Sequence, residues 1–390
     1  MINRRGLLVG KALYFFVFGS QGILVPFLNV YFISIGLSGT QIGWINMLGP
    51  LIGIFSVPLW GMLCDRLGRF RLLLGVVVTG AIISVLFVSF TPLFLGIAGL
   101  IMAFNFFGSA LIPLVDSYNL AVLGEQRANY GQQRIWGTIG FLLTSSTFGI
   151  ILERIGLRGI FWGYSFMLAL FLVAVLALPP QPARMSRTVW SGFTRMIRKP
   201  SWLILAASTI LVMISYSSMF NFIGVTMETM GARDTLIGQA WSVGAFAEIP
   251  VMFFSTWLIR RLKARNMIAI GFFFYGLRLL LYAIMPRPEW VLAINLLHGL
   301  SYGFYWLGSV NYVNEMAPDD LKATSQSMLA TFFNVASVAG SPISGWMFDS
   351  LGPSQMYLIS GLVCWSAVSI FIGLNYRHRR SGVVIIGETR

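Results

Sequence analysis

Long apolar runs separated by short polar loops dominate the chain. There are twelve such runs, and each is about as long as the roughly 20 residues that a helix needs to cross a hydrocarbon core of about 30 Å. They lie at 9–32, 40–63, 71–90, 93–121, 134–152, 158–178, 202–226, 235–259, 267–285, 290–314, 324–347 and 354–375. Because backbone groups in lipid must form their hydrogen bonds internally, the pattern predicts an all-α membrane protein with twelve transmembrane helices.

The composition agrees with a membrane protein. Of 390 residues, 57% are hydrophobic and 10% are charged, whereas a soluble domain is about half apolar and about a quarter charged. The net charge of +14 would suggest nucleic acid as a partner of a soluble protein, but its distribution matters more here. With both termini in the cytoplasm, 22 of the 27 Lys and Arg fall in cytoplasmic loops, tails or helix ends, four fall outside and Arg278 lies within a helix.

The excess of Lys and Arg on one side follows the positive-inside rule and predicts that both termini are cytoplasmic. We therefore expect a multi-pass protein of the cell inner (plasma) membrane. The lipid bilayer surrounds it, and no nucleic-acid partner is expected. The N-terminal basic and apolar stretch continues through Pro26 to Phe32, so we interpret it as the first membrane helix and not as a cleaved signal peptide. Cys64 and Cys364 stand alone, so neither a disulfide framework nor a metal site is expected, and no cofactor is implied.

One loop is long. Residues 179–200 form a basic, proline-flanked linker that predicts a six-helix bundle at 1–178, a second at 201–376 and a cytoplasmic tail at 377–390. The halves echo each other weakly: Asp65-Arg66-Leu67 corresponds to Arg260-Arg261-Leu262, and residues 130–132 correspond to 324–326. Two parallel repeats related by a pseudo-two-fold axis are typical of transporters, with the substrate site between them near the midplane.

The loop after the second run carries the sequence GMLCDRLGRFR, residues 61–71. It resembles the loop motif of the major facilitator superfamily, which implies that superfamily's fold. The alternative is a plain basic loop on the cytoplasmic side. The resemblance implies a gating motif that latches one conformation, formed by Gly61, Asp65, Arg66, Gly68 and Arg69.

A narrower resemblance covers nearly the whole chain. LYFFVFGSQGILVPFLNVYF (13–32), YGQQRIWGTIGF (130–141) and LLHGLSYGFYW (296–306) are similar to helices one, five and ten of the branch that contains lactose permease, phenylpropionate permease and the MFS_1-like proteins. The resemblance implies that Asp116 and Arg134, eighteen residues apart, pair and recognise sugar. It also implies that His298 corresponds to a functional histidine of the tenth helix and Arg278 to a functional arginine of the ninth helix. Several acids of lactose permease have no counterpart, since their positions hold Ser217, Phe220, Ser301 and Ala245.

Charged residues within membrane helices cost roughly 2.5–3.5 kcal/mol on insertion scales and are normally functional. At about 1.5 Å per residue, Glu248 lies about 20 Å from the outer end of its helix, Arg278 about 18 Å from the inner end and His298 about 13 Å from the outer end. We predict that Glu248 couples transport to protons, with Arg278 as counter-charge and His298 as a relay or donor. A static Glu248–Arg278 pair is the alternative, and Pro250 is expected to break that helix locally.

Asp116 poses a question of depth. Counting places it about 35 Å from the outer end of the fourth helix, at the cytoplasmic side, whereas the resemblance places it at the apex of the cavity. A long helix 4, kinked with the help of Pro113, would reconcile the two. The alternative is that Asp116 and Arg134 form a salt bridge that closes the inward gate.

Polar and aromatic residues on otherwise apolar helices are predicted to complete the substrate site, although each could equally join helices, because polar contacts across membrane helices are common. With Asp116 and Arg134, the predicted set is Gln21, Asn29, Asn105, Trp136, Tyr216, Asn221, Asn295, Tyr302 and Tyr305.

The functional hypothesis is a monomeric secondary transporter. It imports a small organic solute (a sugar, a glycoside or an aromatic acid) together with H⁺ by alternating access. The alternative is an exporter or uniporter of a small organic compound or nucleoside on the same fold. No catalytic motif stands in the sequence, so an enzyme is not expected.

Overall fold

A computed structural model describes residues 4–124, 130–178, 200–318 and 321–380, and every regular element in these ranges is helical. Eight helices precede residue 179. They are α1 (Arg4–Leu24), α2 (Leu28–Ser34), α3 (Gly39–Leu67), α4 (Phe70–Val88), α5 (Phe94–Gly108), α6 (Leu111–Leu123), α7 (Tyr130–Ile155) and α8 (Gly159–Leu176).

Eight more α-helices and one π-helical turn follow. They are α9 (Pro200–Thr229), α10 (Asp234–Phe253), α11 (Ser255–Leu262), α12 (Ala264–Ile284), α13 (Trp290–Asn295), the π-helical turn Gly299–Gly303, α14 (Phe304–Met316), α15 (Lys322–Leu351) and α16 (Pro353–Arg380).

All twelve predicted runs fall on these helices, so the all-α prediction is confirmed. Ten stretches of the described residues are long and apolar enough to cross a membrane, while the runs 290–314 and 324–347 coincide with α13–α14 and with α15. Four runs are broken: the first between α1 and α2, the fourth at Ser109–Ala110, the eighth at Phe254 and the tenth after α13. The orientation of the termini stays a prediction.

Two of these breaks concern expected kinks. The fourth run is interrupted at Ser109–Ala110, three residues before Pro113, at the place where a kink would reconcile the two estimates of the depth of Asp116. In the eighth run α10 continues through Pro250 as far as Phe253. The break therefore lies one turn later than predicted, at Phe254, whose N–H still donates to the carbonyl of Pro250.

Local signals set the ends of α3, the helix that carries the predicted gating motif. Ser38 and Gln41 form a reciprocal capping box at its start. Gly68 ends it with φ of 60°, a left-handed conformation that glycine adopts readily. Arg66 and Arg69 flank this end and are exposed.

The contacts divide the chain into two compact units. Unit 1 comprises Met1–Ser186 and Gly224–Ser242, and unit 2 comprises Arg187–Ile223 and Val243–Arg390. The predicted boundary falls in the linker, of which residues 179–199 lie outside the described residues, so the division into bundles at 1–178 and 201–376 stays a prediction. The tail from residue 381 also lies outside them.

In unit 1, α1 packs along α7 and α8, and α4 packs against α5 and α8. The α1–α7 contact is close because Gly140 has no side chain: a Cβ there would lie 2.3 Å from the backbone oxygen of Phe15. In unit 2, α12 packs against both α16 and α14. A Cβ at Gly271 of α12 would lie 2.7 Å from the backbone nitrogen of Tyr305.

We expect Gly140→Ala to lower the melting temperature of the purified protein by several degrees, because the obstructing atom is backbone and α1 must move away. Gly131→Ala is the matched control, since a Cβ at Gly131 of the same helix meets nothing within 4 Å. Gly131 is the second residue of α7, where alanine gains less than the about 1 kcal/mol of a helix interior, so the control should melt at or slightly above the wild-type temperature. Equal melting of the two variants would contradict the close α1–α7 contact.

Candidate functional site

A buried arginine organises the polar centre of unit 2. Arg278 of α12 is 2% exposed. Its Nη1 donates to Nδ1 of His298 at 2.7 Å and to Oγ of Ser301 at 2.9 Å. Its Nη2 donates to the hydroxyl of Tyr282 at 3.0 Å and to Oδ1 of Asn295 at 2.8 Å. Four acceptors thus hold a guanidinium that would be costly to bury without partners.

Sequence spacing explains why these acceptors converge. Tyr282 stands four residues after Arg278, on the same face of α12. Asn295, His298 and Ser301 recur every three residues through α13 and the π-helical turn, so they also share a face. The hydroxyl of Tyr282 donates in turn to Oδ1 of Asn295. A π-helical turn often marks a functional site, and this one begins directly after His298.

His298 connects the arginine to an acid on α10. Its Nε2 lies 2.8 Å from Oε1 of Glu248. An arginine has no acceptor, so Nδ1 of His298 must accept from Arg278, and the ring proton of neutral His298 must reside on Nε2, from which it is donated to Glu248. The predicted counter-charge of Glu248 therefore acts through an imidazole, with Glu248, His298 and Arg278 in one chain of hydrogen bonds.

The carboxylate and the imidazole of this chain of bonds differ in exposure. The side chain of Glu248 is 26% exposed, whereas that of His298 is 15% exposed. The chain of bonds joins a partly exposed carboxylate to the buried, permanently charged guanidinium of Arg278.

A glycine permits the approach of α10 to His298. A Cβ at Gly299 would lie 2.1 Å from the backbone oxygen of Ala247, the residue before Glu248. The backbones at 247 and 299 therefore touch. This contact sets the short distance between the side chains of Glu248 and His298.

Aromatic rings continue from this centre along one helix face. The rings of His298 and Tyr302 are parallel with centroids 5.3 Å apart, and those of Tyr302 and Trp306 are nearly parallel at 6.1 Å. Of the predicted substrate residues, Asn295, Tyr302 and the partly buried Tyr216 lie in this region of unit 2. Asn295 contacts Arg278, which makes it a support for the arginine.

Two other predicted substrate residues of unit 2 take part in helix packing. Tyr305 is fully buried and stacks on Phe272 of α12. The side-chain amide of Asn221 donates to Oγ of Ser341 at 3.1 Å, which joins α9 to α15. Tyr305 and Asn221 therefore fit the alternative stated above, in which such residues join helices and do not bind substrate.

Unit 1 carries a second ionisable cluster around Asp116 of α6. Its Oδ1 accepts from the hydroxyl of Tyr14 at 2.5 Å and from the hydroxyl of Tyr130 at 2.9 Å. Tyr14 belongs to α1 and Tyr130 is the first residue of α7. One carboxylate therefore ties together three helices.

The expected ion pair between Asp116 and Arg134 is not formed in the structure. The guanidinium of Arg134 lies 3.7 Å above the ring centroid of Phe18 and 5.6 Å from that of Tyr14. Two phenols occupy the carboxylate, and a cation–π contact holds the guanidinium beside them. Among the described residues no acceptor receives a hydrogen bond from Arg134, so its planar set of donors is available for a ligand.

The cluster lies near one end of unit 1. Asp116 is seven residues before the end of α6 and Arg134 is four residues after the start of α7. At 1.5 Å per residue these positions lie about 10 Å and about 6 Å from the helix ends. The residues 125–129 that link α6 and α7 lie outside the described residues.

The remaining predicted residues of unit 1 are dispersed. Asn29 accepts from Asn46 at 3.2 Å, Asn105 donates to the carbonyl of Ile101 within α5, and Gln21 is partly buried in α1. Trp136 is 39% exposed, with the Nζ of Lys11 5.8 Å from its ring centroid.

The structure describes only part of the predicted gating motif. A Cβ at Gly61 would meet nothing within 4 Å, so no neighbouring helix lies close to this glycine among the described residues. The side chain of Asp65 lies outside the described residues.

Sequence reasoning missed five side chains of these clusters: Tyr14, Phe18, Tyr130, Tyr282 and Ser301. A usable signal existed for Tyr282, which stands one helical turn after the intramembrane Arg278. Tyr130 opens the quoted stretch YGQQR and lies one turn before Arg134. No local signal connects Tyr14 to Asp116, since 102 residues separate them.

Comparison with known proteins gives consistent matches over the whole chain. The model of the MFS_1 like family matches residues 7–359. The uncharacterized transporter YwbF of Bacillus subtilis (strain 168) is 30% identical over 373 residues, covering 92% of this chain and 91% of that protein. Maltose permease of Geobacillus stearothermophilus is 28% identical over 378 residues, covering 95% and 94%.

The fold has a counterpart among solved structures. The nucleoside transporter NupG superimposes with a TM-score of 0.85 at 16% identity, covering 95% of this chain and 99% of that one. At this identity the likeness concerns the fold alone.

Proposed function

This chain belongs to the MFS_1-like family of membrane transporters, and from that premise we propose that it imports a small organic solute together with protons by alternating access. It is an integral membrane transporter and not an enzyme, and its bacterial relatives indicate the inner membrane. The observation that carries the proposal is the chain of hydrogen bonds from Glu248 through His298 to Arg278.

Proton coupling follows from the charges of this chain of bonds. With Glu248 ionised and His298 neutral, the charges of Glu248 and Arg278 cancel. A proton on Glu248 removes the negative charge and leaves Arg278 unbalanced. A solute rich in oxygen acceptors is then bound more tightly near this centre, because an unpaired cation in a low-dielectric environment attracts them strongly.

Because protonation of Glu248 increases the affinity for the solute, symport is favoured over exchange. If protonation of Glu248 increases solute affinity, solute binding increases proton affinity by the same factor. The two therefore bind together and are released together. A ligand drives such a cycle only through its different affinities for the two states.

In unit 1, the guanidinium of Arg134 offers hydrogen-bond donors that either contact the solute or close the inward gate. Tyr14 and Tyr130 hold Asp116 in place. The position of this cluster near the α6–α7 end favours the inner gate. The permease relative is named for maltose, and a sugar or glycoside supplies the oxygen acceptors that the proposal needs. An aromatic acid also fits the proposal, because the guanidinium of Arg134 in unit 1 offers donors to a carboxylate. One chain is expected to suffice as the functional unit.

The direct test is uptake into proteoliposomes that contain the purified protein. Maltose, 3-phenylpropionate and uridine are offered under an inward proton gradient at zero membrane potential. We expect at least one solute to accumulate, and a protonophore should reduce its accumulation to the equilibrium level. Proton-independent equilibration of the accepted solute would contradict symport and favour a uniporter, and uptake driven by an outward proton gradient would favour an exporter.

A further inference from the structure

A short helix of unit 2 lies between two membrane spans. The candidate span of α10 ends at Phe253 and that of α12 begins at Ala264. Twenty residues of α10 correspond to about 30 Å, the thickness of the hydrocarbon core. The helix between them, α11, therefore begins where the membrane interior ends. It is set off by a break at Phe254 and by Lys263, which has a φ of 62°.

The helix α11 has two different faces. Leu258, Ile259 and Leu262 pack against a buried cluster of Val251, Met267 and Phe304, which fixes α11 to unit 2. No residue of α11 is itself fully buried. The opposite face exposes Trp257, Arg260 and Arg261. The apolar face is thus covered by unit 2, and the face that carries the two arginines and Trp257 stays exposed.

The basic residues form a dense group without an acidic neighbour in sequence. Arg260, Arg261, Lys263 and Arg265 lie within six residues, and no Asp or Glu stands between Glu248 and Glu289. No acid of the described residues forms an ion pair with any of the four. In the first half of the sequence, the position that corresponds to Arg260 holds Asp65, so the acid of the loop motif is replaced here by a further positive charge.

Exposed aromatic side chains accompany these charges. Phe253 is 80% exposed, Phe254 is 54% exposed and Trp257 is 59% exposed. Tryptophan is enriched at the level of the lipid headgroups, where membrane helices end. A soluble phosphate or an acidic peptide gains nothing from three exposed rings, whereas a lipid offers acyl chains to the rings and a phosphate to the arginines.

We propose that α11 and the turn at Lys263 bind the phosphate headgroups of anionic phospholipids. The arginines donate to phosphate oxygens, for which the planar guanidinium is well suited. Trp257 and the two phenylalanines contact the adjoining acyl chains. The site anchors the α10–α12 connection at the membrane surface, and it stands independently of any proton coupling.

The test measures stabilisation of the detergent-purified protein by added lipid. Dioleoylphosphatidylglycerol is expected to raise the melting temperature, while dioleoylphosphatidylcholine and glycerol 3-phosphate should not. The variant R260Q/R261Q/K263Q should need at least about tenfold more of the anionic lipid for half-maximal stabilisation, since each basic group near an anionic surface contributes about a factor of five. Trp257→Ala should weaken the same response.

A matched control removes three exposed arginines elsewhere. R154Q/R158Q/R287Q makes the same change in net charge at other helix ends, and its response to the anionic lipid should match that of the wild type. An equal loss of response in both triple variants would reveal only a general charge effect and would overturn the proposal. An unchanged response in R260Q/R261Q/K263Q, or stabilisation by glycerol 3-phosphate alone, would also overturn it.

Discussion

Glu248→Gln is expected to abolish proton-driven accumulation of the solute while exchange across the membrane continues. The amide oxygen of glutamine can still accept the N–H of His298, so the 2.8 Å contact survives. The amide cannot carry a proton between the two sides. A gradient of about one pH unit corresponds to ~1.4 kcal/mol, so one-to-one coupling sustains about tenfold accumulation at zero membrane potential. The variant should accumulate nothing above equilibrium.

Two measurements separate coupling from folding in this variant. Counterflow, in which labelled solute exchanges against unlabelled solute without a gradient, should remain within a few-fold of the wild type. Glu289→Gln is the matched control: it removes one carboxylate at the exposed start of α13 and should keep full accumulation. If Glu248→Gln still accumulates solute about tenfold, proton loading occurs elsewhere and the proposed role of Glu248 is wrong.

The fold was more accessible from the sequence than the site was. Each membrane helix satisfies its own backbone hydrogen bonds, so the apolar runs alone located the helices. Counting residues predicts the depths of Glu248, Arg278 and His298. It does not predict their connection, because that depends on how α10 and α12 are rotated and on the backbone contact between Ala247 and Gly299. The sequence pattern within one helix does not reveal how that helix is rotated against its neighbour.

The cluster in unit 1 shows a different limit. The resemblance predicted a direct pair of Asp116 and Arg134, two residues of opposite charge on neighbouring helices. In the structure the phenols of Tyr14 and Tyr130 occupy the carboxylate, and the ring of Phe18 holds the guanidinium. Tyr14 donates to Asp116 from a helix 102 residues away in sequence, so no local pattern indicates that the carboxylate is already occupied.

Arg278→Met is expected to cause the largest loss of stability among single substitutions in unit 2. Methionine fills much of the volume, yet it leaves His298, Ser301, Tyr282 and Asn295 without their common donor. It also leaves Glu248 without a cation. Removal of one partner of a buried pair costs about 3–5 kcal/mol, and the lower value applies here because Glu248 is partly exposed. The melting temperature of the purified protein measures this loss.

The double variant E248Q/R278M identifies the cause. If the missing counter-charge destabilises Arg278→Met, neutralising Glu248 should restore part of the stability, and the two substitutions should deviate from additivity by at least about 1 kcal/mol. Tyr282→Phe, which removes one hydroxyl and leaves both charges in place, should cost less and show no such dependence on Glu248. Strict additivity of E248Q and R278M would mean that His298 does not transmit charge between them, and the proposed coupling route would then have to run through another pair of residues.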